Sequence, residues 1–323
     1  MSKEMFNKLF KNELSDSEAK EFLVALYNKG ESSEDIANAA SVMREHSIKL
    51  PVDSKLQDEL IDIVGTGGDK SGSFNISTTV SLLLASAGSK VAKHGNRSIT
   101  SNSGSADVLE ALGINLNLNT DAQIEMLKEV GWTFIFAMNH HPAMGHIMPV
   151  RKSLTHRTIF NILGPLTNPA GAKKYLLGVF SPEFIDVISD ALIELDTTRA
   201  FVVSSRDGMD EISISTLTDF AYIQSGRVVR GVIDPEVHGF KLAPKEDILG
   251  GSATDNAKIT RAILSGELTD AKRDVVLLNG AYALFADGKV KDVKEGIKML
   301  EQAISSGKAI EHLERIIEIS NSF

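Results

Sequence analysis

The sequence contains no cysteine, no long apolar segment and no cluster of basic residues. Without cysteine the chain can form no thiolate nucleophile, thiolate metal site or disulfide, and it suits a reducing compartment. No apolar run approaches the roughly 20 residues that span a bilayer, and the amino terminus lacks the apolar stretch of a signal peptide. We therefore expect a cytoplasmic protein without a membrane partner.

The charge balance argues against nucleic acid as a partner. Acidic residues number 43 and basic residues 34, which gives a formal net charge of −9. A surface that binds nucleic acid needs a basic face to neutralise phosphates, and no stretch of this chain gathers Lys and Arg in that way. A local basic pocket is still compatible with the composition.

The pattern of apolar residues predicts an α/β fold. With 323 residues, the chain is longer than one hydrophobic core usually supports. Residues 1 to about 60 have helical periodicity, whereas short β-like runs alternate with helical segments from Ile61 onward, as in a mainly parallel sheet flanked by helices. The run from Phe220 to Ile233 alternates around Ser225-Gly226 like a hairpin, so the sheet could be mixed.

A glycine-rich loop follows the first predicted strand. The run from Gly65 to Asp69 has three glycines, so its backbone N–H groups can approach an anion without interference from Cβ atoms. The chain then enters a predicted helix near Ser77, and the start of a helix favours negative charge. The loop therefore suits a phosphate ligand. Taken alone, it could equally be a plain strand-to-helix turn without a ligand.

Two more polar loops follow along the chain. Residues Lys93 to Ser98 place a lysine and an arginine at a strand's carboxyl end, where open α/β sheets bind ligands. Residues Ser101 to Asp107 bring hydroxyl and N–H groups to the start of the next helix, although helix capping alone would explain such serines. Three such loops in succession favour a phosphate site.

An acidic pair, Asp210 and Glu211, follows a later predicted strand. The flexible Gly208 nearby would allow both carboxylates to converge on one point. Mg²⁺ is usually held by one or two carboxylates together with substrate phosphates, so the pair suits a metal-bridged diphosphate. The alternative is a solvated acidic turn.

A second pocket is indicated between residues 140 and 170. The imidazoles of His140, His141 and His146 could bind zinc, but no carboxylate accompanies them, and the lining of an acceptor pocket explains them equally well. The guanidinium groups of Arg151 and Arg157 are suited to a two-point grip on a carboxylate. The apolar run that follows could wall an aromatic pocket or pack in the core.

Taken together, the motifs resemble the anthranilate phosphoribosyltransferase family of tryptophan biosynthesis. They occur in order between about residues 60 and 215, and comprise Gly65-Thr-Gly-Gly-Asp, Lys93-His-Gly-Asn-Arg, the run from Ser103 to Gly113, His140-His-Pro-Ala-Met, the run from Arg157 to Pro169, and Asp207-Gly-Met-Asp-Glu-Ile-Ser. The resemblance implies a homodimer. It also implies a small helical domain over residues 1–62, which we expect to be joined by helices from about 140–172, and a larger α/β domain over residues 63–323.

The resemblance further implies a reaction and its ligands. Phosphoribose would pass from 5-phosphoribosyl 1-diphosphate (PRPP) to the amine of anthranilate, with release of diphosphate. By similarity, PRPP would contact Gly65, Gly68, Asp69, Ser73, Asn75, Ser77, Thr78, Lys93, His94, Gly95, Asn96, Arg97, Ser101 and Ser105. Anthranilate would contact Gly65, Asn96, His141, Arg151 and Pro165. Mg²⁺ would be held by Ser77, Asp210 and Glu211.

The catalytic roles expected of this chain are electrostatic and positional. Lys93 would help to spread the charge that develops on the diphosphate, and Arg151 would anchor the acceptor's carboxylate and aim its amine. Since an arylamine is already neutral at pH 7, no strong general base is required. The sequence departs from the usual family pattern at Asn102 and Gly145, where lysine is common, and at Thr155-His156, where Gly-Ile is frequent. These departures would affect affinity more than reaction type.

Two alternative functions stay open. A pyrimidine nucleoside phosphorylase has the same general architecture and works at an anomeric carbon, but the motifs from His140 to Pro169 argue against it. A catalytically silent paralogue that binds nucleic acid would need a basic face and could dispense with Asp210 and Glu211.

Overall fold

The computed structural model describes residues 2–69, 71–98 and 103–323. The predictions made for Ser101 and Asn102 lie outside the described residues. The helices are α1 (Lys3–Phe10), α2 (Asp16–Lys29), α3 (Ser33–Glu45), α4 (Ser54–Glu59), α5 (Ile76–Ser86), α6 (Ser105–Ala111), α7 (Thr120–Glu129), α8 (Ala137–His140), α9 (Met144–Lys152), α10 (Phe160–Leu163), α11 (Phe184–Glu194), α12 (Ala253–Leu264), α13 (Ala271–Asp287), α14 (Val293–Ser305) and α15 (Lys308–Ser320). Short 3₁₀ helices cover Gly164–Leu166, Pro235–His238 and Lys245–Ile248. None of the helices in the described ranges is long and apolar enough to cross a membrane.

Seven strands of the described ranges form one mixed sheet. They are β1 (Leu60–Gly65), β2 (Lys90–Gly95), β3 (Trp132–Phe136), β4 (Lys174–Gly178), β5 (Arg199–Ser205), β6 (Thr218–Gln224) and β7 (Arg227–Ile233). Their order is β3-β2-β1-β4-β5-β6-β7, with β1 to β5 parallel and the last two strands antiparallel. The α/β fold and the mixed sheet are thus confirmed. The chain reverses direction between β6 and β7 at Ser225 (φ 49°) and Gly226 (φ 76°). A positive φ at both central residues is typical of a two-residue hairpin turn.

Both faces of the parallel part of the sheet are buried, and alternate residues of its strands enter different cores. On β1, Ile61 and Ile63 join a core built with α5 and α13, whereas Leu60 joins a core built with the amino-terminal helices and α11. This alternation follows from the period of two in an extended strand. It explains why a strand such as β4 is apolar on both of its faces.

The helical domain combines helices from two separate stretches of the chain, the amino-terminal helices α1 to α3 and the later helices α9 and α10. Apolar side chains of α1, α2 and α3 share one core with those of α9 and α10. Helix α3 also packs on α11, which covers the sheet. Helices from the region around residues 140–170 therefore do pack with the amino-terminal ones. The domain boundary at residue 62 stays a prediction.

Arg157 contributes to this packing and is not available to a substrate carboxylate. Its two terminal nitrogens donate to the two oxygens of Glu31 at 3.0 and 2.9 Å. The Glu31 side chain is only 1% exposed. The guanidinium also lies 4.8 Å from the ring centroid of Phe184 on α11. Of the two arginines considered for gripping a carboxylate, this one is committed to a structural pair.

Replacing Arg157 should therefore destabilise the fold. The Arg157→Met variant leaves the Glu31 carboxylate buried without its partner, so we expect the free energy of unfolding to fall by about 3 kcal/mol. Urea denaturation measures the change. Lys173→Met is the control, because its partner Asp58 is 63% exposed and its loss should cost less than about 1 kcal/mol. Equal effects of the two substitutions would contradict the assignment.

Candidate active site

The strand order reverses between β1 and β4, which makes their carboxyl ends a ligand-binding crevice in an open α/β sheet. Gly65 ends β1 and is the register partner of Gly178, which ends β4. The loop after β5 carries Asp210 across this pair. A Cβ atom on Gly65 would lie 2.2 Å from Asp210 Oδ2, and one on Gly178 would lie 1.5 Å from the Asp210 carbonyl oxygen. Both strands must therefore end in glycine for the acidic loop to pass.

The acidic loop is held directly by the glycine-rich loop. The backbone N–H of Gly67 donates to Asp210 Oδ2 at 2.6 Å. Gly67 and Gly68 have φ values of 70° and 81°, a left-handed conformation that L side chains rarely adopt. The left-handed turn presents the Gly67 N–H to a carboxylate, as expected of an anion-binding loop.

Glu211 lies at the start of helix α5. The backbone N–H of Ser77 donates to Glu211 Oε1 at 3.1 Å. The N-cap residue of this helix, Asn75, makes no side-chain capping bond of its own. A carboxylate from a distant part of the chain thus occupies the anion position at the helix start.

Burial perturbs these carboxyl groups. Loss of solvation raises the pKa of Asp210 to about 7, and the nearby Asp69 carboxylate adds to the effect. Burial, followed by the charges of Asp210 and Asp69, also raises the pKa of Glu211 well above its usual range. A carboxyl group in a cleft whose pKa is strongly perturbed by burial and by a neighbouring charge is a candidate for a functional site. Added positive charge would stabilise the ionised forms of Asp210 and Glu211.

Lys93 lies beneath the acidic pair rather than on the surface. The residue is 2% exposed, and its ammonium group donates to the Ile63 carbonyl oxygen at 2.7 Å and to Ser77 Oγ at 3.4 Å. Burial lowers its pKa, opposed by the negative charges of Asp62, Glu211 and Asp210. The lysine therefore acts on the crevice in two ways. It donates a hydrogen bond to Ser77, and its positive charge attracts the carboxylates of Asp210 and Glu211.

The donor atoms at this site fit Mg²⁺. Two carboxylates and the Ser77 hydroxyl offer the oxygen ligands that this ion prefers. Within the described residues, no three His, Asp or Glu side chains cluster closely enough to hold a metal ion by themselves. This suits Mg²⁺, which commonly completes its shell with water and substrate phosphates.

The three polar loops are tied together by amide and hydroxyl groups. Asn75 donates to the Ser103 carbonyl oxygen at 3.2 Å and accepts from Asn256 Nδ2 at 2.8 Å. Ser105 Oγ donates to the Asn96 carbonyl oxygen at 3.2 Å. The structure therefore brings the glycine-rich loop, the loop after β2 and the start of α6 to one edge of the sheet.

The remaining residues predicted for PRPP occupy varied surroundings. Ser73 pairs through its backbone with Leu249, and Asp69 accepts from the Ser71 N–H at 3.2 Å. Thr78 is buried on α5, and its hydroxyl has no partner among the described residues. Arg97 is engaged by Asp107 and, in two-point fashion, by Glu110. Phosphate would have to compete with those two carboxylates for this arginine.

Gly95 is required by packing at the end of β2. A Cβ atom there would lie 2.4 Å from Ser105 Oγ and 2.7 Å from the Phe134 ring. This close approach lets the start of α6 contact the loop that follows β2.

The opposite side of β2 carries a buried histidine pair. His94 Nδ1 lies 3.1 Å from the Gly164 carbonyl oxygen, and its Nε2 lies 3.3 Å from Nε2 of His141. Because a carbonyl only accepts, His94 Nδ1 carries the proton, and His141 Nε2 must donate to His94. His141 Nδ1 is then a buried acceptor, and it has no partner in the described residues. An N–H group of a ligand would satisfy it, and Pro165 follows directly after Gly164.

The other candidate side chains separate into distinct environments. Arg151 on α9 is half-buried, lies 5.3 Å from the Phe160 ring centroid, and pairs with no carboxylate of the described chain. Burial lowers its pKa, so an anionic ligand would be favourable there. His140 contacts the Ile48 carbonyl oxygen, and His146 contacts that of Leu9. The three histidines considered for zinc thus face three different partners.

Asp62, Asn256 and Asn279 are polar residues near the site that lie outside the motifs found in the sequence. Asp62 accepts from the His94 N–H at 3.1 Å and from Asn168 Nδ2 at 2.8 Å. Asn256 joins the loops as described, and Asn279 contacts the residue that follows Glu211. Their roles depend on contacts between distant parts of the chain, so local patterns could not reveal them.

Comparison with known proteins relates this geometry to a family of enzymes. Residues 57–310 match the family described as glycosyl transferase family, a/b domain, and residues 1–47 match the corresponding helical bundle domain. The anthranilate phosphoribosyltransferase of Xanthobacter autotrophicus is 44% identical over 316 residues, which are 98% of this chain and 90% of that protein.

Two solved structures resemble the chain closely. The anthranilate phosphoribosyltransferase of Thermus thermophilus has a TM-score of 0.92 at 41% identity, covering 99% of this chain and 94% of that one. The enzyme from Saccharomyces cerevisiae in complex with PRPP and Mg has a TM-score of 0.87 at 30% identity, covering 95% of this chain and 86% of that one. The similarity therefore spans nearly the whole chain.

The buried histidine pair predicts how stability depends on pH. Burial lowers the pKa of His141 to about 4, whereas an unfolded histidine titrates near 6.5. Below pH 6.5 the unfolded chain binds a proton that the folded chain does not, so stability should fall from pH 6.5 towards 4. The His141→Gln variant should lose up to about 1.4 kcal/mol per pH unit of this slope. Urea denaturation at pH 7, 6 and 5 tests it, and an unchanged slope would contradict it.

Proposed function

The chain belongs to the anthranilate phosphoribosyltransferase family, and from that premise we propose how its residues carry out the transfer. The reaction moves phosphoribose from PRPP to the amine of anthranilate and releases diphosphate, giving N-(5-phosphoribosyl)anthranilate in tryptophan biosynthesis. Mg²⁺ is its metal cofactor. The residue roles that follow combine what the family resemblance implies with the geometry of the crevice.

One observation carries the proposal. Asp210 and Glu211 accept hydrogen bonds from backbone N–H groups of the glycine-rich loop and of the start of α5, at 2.6 and 3.1 Å. These carboxylates therefore lie where the phosphates of a bound diphosphate would also be attracted. Metal ligands and phosphate-binding groups in contact with each other are what a metal-bridged diphosphate requires.

On the donor side, the chain binds the diphosphate and spreads its charge. Asp210, Glu211 and the Ser77 hydroxyl would hold Mg²⁺, which when bound neutralises negative charge on the leaving group. The N–H groups of the glycine-rich loop and the dipole of α5 would stabilise the same charge from the protein side. Lys93 adds a fixed positive charge beneath Ser77. Together these groups favour departure of diphosphate from the anomeric carbon.

On the acceptor side, the chain orients anthranilate. Arg151, half-buried and without a carboxylate partner among the described residues, would bind the substrate's carboxylate. Asn96 would hold the substrate together with Arg151. The acceptor nitrogen Nδ1 of His141 would receive a hydrogen bond from the amine, while Pro165 and Gly65 would line the approach. Holding the amine in line with the anomeric carbon accounts for a large share of such catalysis. The neutral arylamine needs no prior deprotonation.

The assembly and location of the chain are part of the proposal. We infer a homodimer in the cytoplasm. In support, the apolar side chains of Ile48 and Met138 are 49% and 66% exposed and lie on neighbouring segments, since the Ile48 N–H donates to the His140 carbonyl oxygen at 2.8 Å. Light scattering should give twice the chain mass, and a monomer at micromolar concentration would contradict this part.

The reaction itself can be tested with anthranilate fluorescence. Purified chain mixed with anthranilate and PRPP should remove the fluorescence only when Mg²⁺ is present. Fluorescence that persists under all conditions would contradict the function. Release of thymine from thymidine with inorganic phosphate would instead identify a nucleoside phosphorylase.

Amide replacement of the acidic pair should impair use of the metal. In the Asp210→Asn and Glu211→Gln variants the backbone hydrogen bonds can persist, but the charge that attracts Mg²⁺ is reduced. We expect the Mg²⁺ concentration for half-maximal rate to rise roughly 10- to 100-fold. Asp207→Asn is not a suitable control, because Asp207 anchors the same loop through Ser205 and Ser213. Glu183→Gln, distant in sequence from the loop, is a better control. Wild-type activity at limiting Mg²⁺ would contradict the assignment.

Truncation of Arg151 should weaken acceptor binding. The Arg151→Ala variant should raise the KM for anthranilate about 10-fold or more, because a charge-assisted hydrogen bond contributes on the order of 1.5–3 kcal/mol. The KM for PRPP should change little. The neighbouring exposed Lys152→Ala is the control. An unchanged KM for anthranilate would rule out the proposed anchor.

A further inference from the structure

Helix α13 contacts the acidic loop through one buried side-chain amide, that of Asn279. Asn279 is 2% exposed. Its Oδ1 accepts from the Ile212 N–H at 3.0 Å, and its Nδ2 donates to the Ile212 carbonyl oxygen at 2.8 Å. Nδ2 also donates to the Val275 carbonyl oxygen one turn earlier on the helix, at 2.9 Å. One side chain thus binds both polar backbone groups of the residue that follows Glu211.

The segment that Asn279 holds has little other regular support. It crosses the ends of β1 and β4 outside any strand, so its backbone groups lack a ladder of hydrogen bonds. On the amino-terminal side, the Asp207 carboxylate accepts from the hydroxyls of Ser205 and Ser213 and fixes the turn. Asn279 supplies a further anchor, adjacent to the acidic pair.

Asn279 also lies beside the carboxylates themselves. Together with Ser77, Asp210 and Glu211 it lines a small cavity under the crevice. Ile212 is fully buried, so the loop cannot shift outward without losing apolar packing. The hydrogen bonds from Asn279 oppose a rotation of the Ile212 peptide units, which would redirect Glu211 away from Ser77.

We propose that Asn279 is a positioning residue for the metal site, which orients Asp210 and Glu211 by fixing the backbone of Ile212. The inference rests on the proposed function of those two carboxylates. The three hydrogen bonds of Asn279 all go to backbone groups, those of Ile212 and Val275. It acts through the peptide groups on either side of Ile212, as outer hydrogen-bond partners orient metal ligands elsewhere.

The arrangement requires an amide at this position. Asn279 uses one acceptor and two donor hydrogens, and each meets a complementary backbone group. Leucine has a similar size but leaves the Ile212 and Val275 groups buried and unpaired. Aspartate keeps the acceptor for the Ile212 N–H, but it places a negative oxygen against two carbonyl oxygens. Both substitutions should release the loop while preserving most of the packing.

The test compares Asn279→Leu and Asn279→Asp with Tyr282→Phe. Tyr282 lies on the same helix and pairs with His238 at 2.9 Å, so its replacement removes a hydrogen bond of α13 away from the acidic loop. The readouts are the affinity for Mn²⁺ with PRPP, measured by electron paramagnetic resonance and calorimetry, and the separate KM values for anthranilate and Mg²⁺. Circular dichroism verifies the fold, and the aspartate variant is used if the leucine variant does not fold.

The expected result is selective for the metal. Both Asn279 variants should bind Mn²⁺ with PRPP about 10-fold more weakly, and excess Mg²⁺ should restore most of kcat. The KM for anthranilate and all values for Tyr282→Phe should stay close to wild type.

Two results would overturn the inference. One is wild-type metal affinity in a folded Asn279 variant, and the other is a loss of kcat that excess Mg²⁺ does not restore. Failure of the proposed function looks different, because the wild-type chain itself would then show no metal-dependent transfer.

Discussion

The hydrogen bond from the Gly67 N–H to Asp210 Oδ2 fixes how the two halves of the crevice meet. It joins the loop after β1 to the loop after β5, across the point where the strand order reverses. The crossing is so close that neither Gly65 nor Gly178 could carry a side chain. The glycines at the strand ends are therefore explained by the path of the acidic loop as much as by access for a phosphate.

The same contact sets the electrostatics of the site. Asp210 and Glu211 occupy N–H groups that would also attract phosphate, and burial raises the pKa of both. Such a site favours a ligand that brings a cation together with a polyanion. Strand β2 carries polar side chains on both faces of the sheet. Lys93 contacts Ser77 on the α5 side, and His94 contacts His141 and Gly164 on the other side. One strand thus connects the diphosphate side to the acceptor side.

Much of the fold follows from local patterns in the sequence. The β1 strand, the β6–β7 hairpin and the helix that starts near Ser77 are marked by apolar periodicity and turn residues, and these elements are present. Helix boundaries are less well marked. Both Ser32 and Ser33 are residue types that cap helices, and Ser32 is the cap of α3, because only it has an acid three residues later, Asp35, that completes a reciprocal pair.

The site is predictable where its chemistry is local and hidden where it depends on the tertiary structure. The glycine-rich loop and the acidic pair are visible as motifs in the sequence. The resemblance to a family then predicts that they serve the same substrate. The commitment of Arg157 to Glu31 and the amide contacts of Asn256 and Asn279 are not visible, since each joins residues far apart in the chain. Their effect depends on burial, which no local pattern specifies.

The central claim is that the acidic pair and the glycine-rich loop bind one metal-bridged diphosphate. A crystal structure of the chain with PRPP and Mn²⁺, with anomalous scattering to locate the metal, tests it most directly. The account predicts a manganese peak within coordination distance of both Asp210 and Glu211, with the diphosphate on the N–H groups of residues 67–69. A metal bound elsewhere, with both carboxylates still on the N–H groups of Gly67 and Ser77, would contradict it.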